Sequence, residues 1–388
     1  MSKNVGYGTA IKLAGAYTAY HIGSGFATGN EITQFFVSWG GYTPFLVFAI
    51  AIIFTMITNF IMYRTGFLKT FKKPNQYYYY FCGKHLGRLF DYYVYITLVA
   101  FVLVMITGSG ATLNQYFGTP EYVGTLFMAV ICSAVACLGL RKLVDVLGSI
   151  GIVIMSFTIF CGLYMIVTAD QSPIAAAANT QTYVEEGIIL QPSFFGETNP
   201  IMAGLFYSGI LTLALPWVTS MGKLLSNTKQ AGVAAFCSAI FLFSAAMAVA
   251  VALMINLDAV AGTQIPMLAA IQHTLPMLAF PYSIVIILGI FTTATGMLFL
   301  LSDRFAVEGS KKSYAIIFGT AAFGAIGGTF IPFSVIVNIV YSILGFSGDL
   351  LAVLMIIKFI RVRHEERQGI SEESTDKTIE AAHNTASH

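Results

Sequence analysis

The chain has 388 residues, of which 57% are hydrophobic and only 10% charged, and its mean hydropathy is strongly positive. That balance excludes a soluble domain, and no nucleic-acid partner is expected, although the formal charge of +2 by itself says little about partners. In a membrane protein it is the placement of Lys and Arg that carries information.

Read at ~20 residues per span, the sequence contains ten candidate membrane helices. They cover 8–38, 42–63, 89–112, 121–139, 143–168, 200–220, 231–256, 279–301, 314–330 and 333–360. With the N-terminus inside, all 20 Lys and Arg residues fall on one side of the bilayer, from Lys3 and Lys12 to Arg367 and Lys377. The opposite loops hold only acids and neutral residues, such as Glu121, Asp170, Glu185, Glu186, Glu197 and Asp258. An eleventh span would put the basic C-terminal tail outside, against the positive-inside rule. The expected location is therefore a bacterial plasma membrane, with both termini cytoplasmic and the lipid bilayer as the surrounding partner. A cleavable signal peptide is not expected, because the first apolar run is too long and lacks a small-residue cleavage site.

The first span has an unusual centre, Ala19-Tyr20-His21-Ile22-Gly23-Ser24-Gly25-Phe26-Ala27-Thr28-Gly29-Asn30-Glu31. Three glycines at mid-depth, each costing ~1 kcal/mol against Ala, predict a helix break. Unpaired backbone groups survive in hydrocarbon only inside protein or beside a wet cavity, so a break implies a site. Thr28-x-x-Glu31 has capping-box spacing, which predicts that a second half-helix begins at Thr28. Close helix packing on a glycine-lined surface is the alternative reading. Glu31 and His21 are also candidate proton carriers, as ionisable groups within a span.

Further along, Tyr77 to Tyr80 read as an interfacial aromatic belt. Asp303 with Arg304, and Asp145 with Lys142, read as interfacial ion pairs. The five cysteines, Cys82, Cys132, Cys137, Cys161 and Cys237, show neither a disulfide framework nor metal-ligand spacing, and packing explains them. Residues 169–199 suggest an extracellular connecting segment capping the outer mouth. Residues 257–278 contain a short helix near 265–271, with Pro266 in its first turn, lying on or dipping into the membrane. Gly345-Phe346-Ser347-Gly348 either kinks the last span or splits it in two, and residues 362–388 read as a disordered cytoplasmic tail.

Ten spans divide into two fives, residues 1–168 and 200–361. The sixth span, like the first, is interrupted: Pro216 frees backbone groups around Thr212 to Ala214. Because five is odd, the halves insert in opposite orientation. The fold class expected is an all-α polytopic integral membrane protein with a 5+5 inverted repeat, helices 1 and 6 interrupted. Broken helices at matching positions point to a central transport site.

Ile22-Gly23-Ser24-Gly25-Phe26 resembles the IGSGIF motif of the amino acid, polyamine and organocation superfamily. The longer stretch from Gly23 to Glu31 is similar to the start of the YkvI-like putative amino acid permeases. The resemblance implies a LeuT-type fold with alternating access. It implies substrate carboxylate binding at the first break, at Gly23, Ser24, Gly25, Phe26 and Thr28. Tyr207, Ser208 and Thr212 face the second break, although Ser and Thr hydroxyls in helices also bond their own backbone. In the eighth span, Gly289, Thr292 and Thr293 share a helical face by their i, i+3, i+4 spacing. In sodium-coupled members of this fold that pattern completes a Na+ site, which implies Thr292 and Thr293 with the carbonyls of Ala19 and Ile22. Oxygen-only ligation suits a hard cation.

The function expected is a secondary active transporter for an amino acid or similar small carboxylate-bearing solute, with Na+ as coupling ion and no other cofactor. Alternatives are proton coupling through Glu31 or His21, and a ligand sensor that does not transport. A channel lacks a filter motif, and an enzyme lacks a reactive constellation at membrane depth.

Overall fold

The computed structural model describes residues 7–22, 24–69, 71, 73, 75–138 and 140–367, with side chains undescribed at Ser24, 140–152 and Arg367. Among the described residues the regular elements are helices, and an isolated antiparallel bridge pairs Phe194 with Glu197 in the connecting segment. The chain is an all-α polytopic membrane protein.

The first span runs as three pieces, α1 (Gly8–His21), α2 (Ser24–Thr28) and α3 (Asn30–Phe35), closed by a 3-10 turn at Val37–Trp39. Four helices follow as spans two to five: α4 (Thr43–Leu68), α5 (Gln76–Phe117), α6 (Glu121–Ala136) and α7 (Leu140–Val167). The connecting segment carries α8 (Pro173–Ala176) and α9 (Thr180–Glu185). The sixth span is α10 (Pro200–Thr212) and α11 (Leu215–Gly222), bent by 63°. The rest of the chain contains α12 (Thr228–Ile255), α13 (Leu257–Val260), α14 (Pro266–Thr274), α15 (Pro276–Phe305), α16 (Lys311–Phe330) and α17 (Phe333–Arg367). By length and composition α4, α5, α12, α15, α16 and α17 can each cross a membrane, and α10 with α11 passes as a bent pair.

Packing follows small residues. In α12 the alanines 234, 235, 239, 246 and 250 are all but fully buried, and their short side chains let α1 and α4 approach closely. Exposed Ile53, Ile96, Phe127, Val130 and Ile357 form an apolar exterior suited to lipid.

The helix pairings carry a two-fold pattern. Span one packs on span seven as span six packs on span two; span three packs on span ten as span eight packs on span five. Spans two and seven, three and eight, and four and nine pair with their own counterparts. Exchange of the two halves therefore maps contacts onto contacts. One pair is unequal among the described residues: span six meets span ten extensively, while the contacts of span one with span five are few.

The structure corrects four expectations. The last span is one continuous helix, and its glycines serve packing rather than a kink. A Cβ at Gly348 would fall into the backbone of Gly209 in α10, and one at Gly345 would lie 2.6 Å from the Phe206 Cβ. Tyr77 to Tyr80 are buried, not a belt: α5 starts at Gln76 and bends at Gly83 (φ 72°), folding the tyrosines under the bundle. Arg304 pairs with Asp91 of α5 (3.6 Å) instead of Asp303, and the Asp145–Lys142 side chains lie outside the described ones. The helix near 265–271 is α14, and it does not lie on the membrane: Met267, Leu268, Ala270 and Ile271 are fully buried inside the protein.

Candidate functional site

The first span breaks twice. α1 ends at His21, the amide of the next residue, Ile22, donates to the Thr18 carbonyl, and Gly23 lies outside the described residues. α2 then occupies a single turn and a half before Gly29, which takes a left-handed conformation (φ 76°) open to glycine at little cost. The expected capping box is not formed. Gly29, not Thr28, stands at the N-cap of α3 without a side-chain cap, and the Thr28 hydroxyl donates to the Gly25 carbonyl (2.6 Å).

Glu31, freed from capping, turns into the protein. It is 7% exposed, and the Tyr207 hydroxyl of α10 donates to its Oε1 (3.2 Å). The Tyr341 hydroxyl of α17 hydrogen-bonds the same carboxyl group. None of the described ion pairs includes Glu31. Gly25 is what makes room: a Cβ there would stand 2.7 Å from the Tyr341 hydroxyl and 2.9 Å from Glu31 Oε2. Phe35, Phe36 and Phe101 pack around the two tyrosine rings at centroid distances of 4.9–6.5 Å and fix their hydroxyls on the carboxyl group. One carboxyl group thus joins the first break to spans six and ten.

The sixth span breaks at Leu213 and Ala214. Pro216 has no amide proton to offer the Thr212 carbonyl, and the Leu213 carbonyl accepts from Tyr78 at 3.4 Å instead of continuing the helix. Of the three candidates on this wall only Tyr207 reaches the break-one carboxyl group. Ser208 donates to Ala51 and Gly204 carbonyls, and Thr212 to the Ser208 carbonyl. Phe26 is buried, while the Ser24 side chain lies outside the described ones.

His21 sits at the other side of the break. Its ring faces the Tyr17 carbonyl (2.9 Å) and the backbone of Leu211. Beside it Tyr20 stacks on Trp217 of α11 at 4.1 Å, so the inner halves of both broken spans meet through aromatic rings.

The proposed sodium ligands are not gathered by side-chain contacts. Thr292 donates to its own Gly289 carbonyl (2.9 Å), and both Thr292 and Thr293 are half-buried. α15 meets the first span mainly through α2, past the break from Ala19 and Ile22. Its clearest link is Tyr282, which donates to the Ala27 carbonyl at 2.7 Å and shares a hydrogen bond with Thr158 of α7. Among the described residues no three His, Cys, Asp or Glu side chains cluster as a metal site would need.

On the acidic side of the bundle an amide network, referred to below as the amide seal, ties α3 to α17, to the connecting segment and to the stretch before α14. Gln34 donates to Asn30 Oδ1 (2.6 Å) and to the Ser334 carbonyl; Asn338 donates to Gln34 Oε1 and to the Gln191 carbonyl. Asn30 donates to the Gln264 carbonyl, and Gln264 donates to Glu121. α14 fills the space behind, with Met267 against Gly29. These residues have no motif. Their only sequence signal is the i, i+4 spacing of Asn30 and Gln34 on α3.

The solved structure of Mhp1 in its inward-facing conformation is similar over 91% of this chain and 77% of that one, at TM-score 0.61 and 12% identity. The chain shares that LeuT-type fold. A mutant of the Eremococcus coleocola manganese transporter is similar over 97% of this chain and 74% of that one, with 14% identity and TM-score 0.44. In sequence, the uncharacterized membrane protein YkvI of Bacillus subtilis (strain 168) is 25% identical over 179 residues, 46% of this chain and 49% of that protein. The alignment thus spans about half the length of YkvI. The uncharacterized protein YyaD of the same strain is 24% identical over 287 residues, 73% of this chain and 77% of that one. No family model matches.

Proposed function

We propose that the chain is a secondary active transporter of an amino acid or a similar small carboxylate-bearing solute, working by alternating access around its two broken spans. The observation that carries this reading is the buried Glu31, held by a tyrosine of the other broken span 3.2 Å away. A carboxyl group at membrane depth is costly unless it works, and one held by neutral hydroxyls can release a proton or accept an ammonium group without moving its neighbours. The amide seal and the fold similarity support a state closed towards the acidic side. The sorting of Lys and Arg supports an orientation with the basic side in the cytoplasm of the cell. The Ile22 to Phe26 stretch supports a place in the amino acid, polyamine and organocation superfamily.

Glu31 favours the proton as coupling ion. Sodium is the second reading, with Thr292 and Thr293 of α15 and the carbonyls of Ala19 and Ile22 as its ligands; the packing of α15 on the first span through α2 is what supports it. Uptake of a radiolabelled L-amino acid mixture into proteoliposomes separates the two, with an inward proton gradient, an inward sodium gradient, or neither. Accumulation under the proton gradient supports the Glu31 reading. Sodium-driven accumulation that is lost in a Thr292→Ala, Thr293→Ala protein supports the other. Binding with no uphill movement under either gradient would overturn transport and point to a sensor.

A further inference from the structure

Asp349 is a carboxyl group within the spans with one buried oxygen. It lies on α17, the helix that supplies Tyr341, eight residues further along, or ~12 Å towards the basic side. α10 and α17 run in the same direction, so their contacts advance together. Phe206 meets Gly345, and Gly209 meets Gly348 and Asp349, one turn above the break of the sixth span. Asp349 Oδ1 is buried without a hydrogen-bond partner and lies against Gly209, where a Cβ would stand 2.8 Å from it. The residue as a whole is half-buried, so one side of it stays reachable.

None of the described ion pairs includes Asp349, and Lys84, His85 and Arg88 of α5 are exposed. α10 is uncharged along its length, and its titratable group is Tyr207. α5 brings the Tyr93 hydroxyl to Ser347 (2.7 Å), while its Asp91 is bound by Asn75, Tyr79 and Arg304. α4 carries only Arg64, which grips Glu366 through two hydrogen bonds of 2.9 and 3.0 Å. α3 carries Glu31. An ionised carboxylate in such a place would be uncompensated, and burying one is expensive.

We propose that Asp349 is a second proton-binding site, the inner station from which a proton taken up at Glu31 leaves towards the cytoplasm. The proposal rests on the transporter reading with proton coupling. The proton binds at one carboxyl group and is released from the other, so no further reactant is needed. Tyr341 and Asp349 share a helix, and movement of α10 against α17 changes the surroundings of both carboxyl groups together.

The experiment uses the full-length protein in proteoliposomes, with the radiolabelled L-amino acid mixture as probe, and compares wild type, Asp349→Asn and Asp349→Glu. In Asp349→Asn, accumulation driven by an inward proton gradient falls by about tenfold or more, a coupling loss of ordinary size, while exchange of labelled for unlabelled amino acids persists. Asp349→Glu restores part of the accumulation, which separates a proton-binding role from a packing defect. Infrared difference spectra of the purified proteins between acidic and alkaline pH give a readout free of substrate: Asp349→Asn removes one carboxyl band and Glu31→Gln another. Undiminished proton-driven accumulation in Asp349→Asn, or a carboxyl spectrum unchanged by that substitution, overturns the assignment. If wild type shows no proton-driven accumulation, both this assignment and proton coupling fall. If wild type is proton-driven and only the Asp349 results fail, proton coupling stands and this station alone is withdrawn.

Discussion

Glu31 receives two hydroxyl donors, each from a different span, and none of the described ion pairs includes it. A hydrogen bond to an ionised group contributes ~1.5–3 kcal/mol, so Tyr207→Phe and Tyr341→Phe are each expected to lower uptake at limiting substrate by about tenfold or more. Initial-rate measurements on proteoliposomes check this. Gly25→Ala tests the same contact from the other side. Its Cβ meets only the ends of two side chains, so the protein should fold and elute as wild type on gel filtration, yet the Glu31–Tyr341 contact must open and uptake must fall. A protein with full uptake would show that the contact is dispensable. Sequence spacing placed Glu31 in a capping box because an i, i+3 pattern is local, whereas its actual partner lies 176 residues away. Nothing in the pattern around Tyr341 or Asp349 marks them, because their importance comes from what α10 brings against them. The serine and threonine candidates were legible as residue types but not as directions: Ser208, Thr212 and Thr292 all point their hydroxyls at helix carbonyls.

At the scale of elements, the contact of α10 with α17 depends on backbones meeting at Gly209 and Gly348. Gly348→Val forces them apart, and overpacking of this kind costs ~1–3 kcal/mol, which should appear as a lowered thermal midpoint in detergent. Gly296→Ala, where nothing lies within 4 Å of the added Cβ, is the control expected to leave it unchanged. The amide seal carries a second element-scale prediction. Gln34→Ala with Asn338→Ala removes buried hydrogen bonds contributing ~1 kcal/mol each, so the seal should open more often. A reporter Met267→Cys, at a side chain now fully buried, should then react about tenfold faster with a membrane-impermeant maleimide. An unchanged rate would mean that the amides do not hold this side shut. The interruptions of spans one and six were legible from Gly23, Gly25, Gly29 and Pro216, because backbone chemistry alone dictates them. The burial of α14 and of Tyr77 to Tyr80 was not, because an apolar segment faces lipid or protein with the same composition.

Over the whole molecule, the sorted charges and the ten apolar segments made the all-α architecture readable, since hydrocarbon leaves a chain few options. The two-fold exchange of helix contacts adds what the sequence only implied, and its one asymmetry is informative. Among the described residues span six meets span ten more extensively than span one meets span five, so the contact of the sixth span with the tenth is where the two halves differ. The central claim is that Glu31, shared between the two broken spans, is where the driving ion acts. The measurement that tests it most directly is uptake of a radiolabelled L-amino acid mixture by proteoliposomes of wild type and Glu31→Gln under an inward proton gradient. Wild type should accumulate label above its equilibrium level, and Glu31→Gln should only exchange or equilibrate it. Accumulation by Glu31→Gln to the wild-type level under the same gradient would contradict the account.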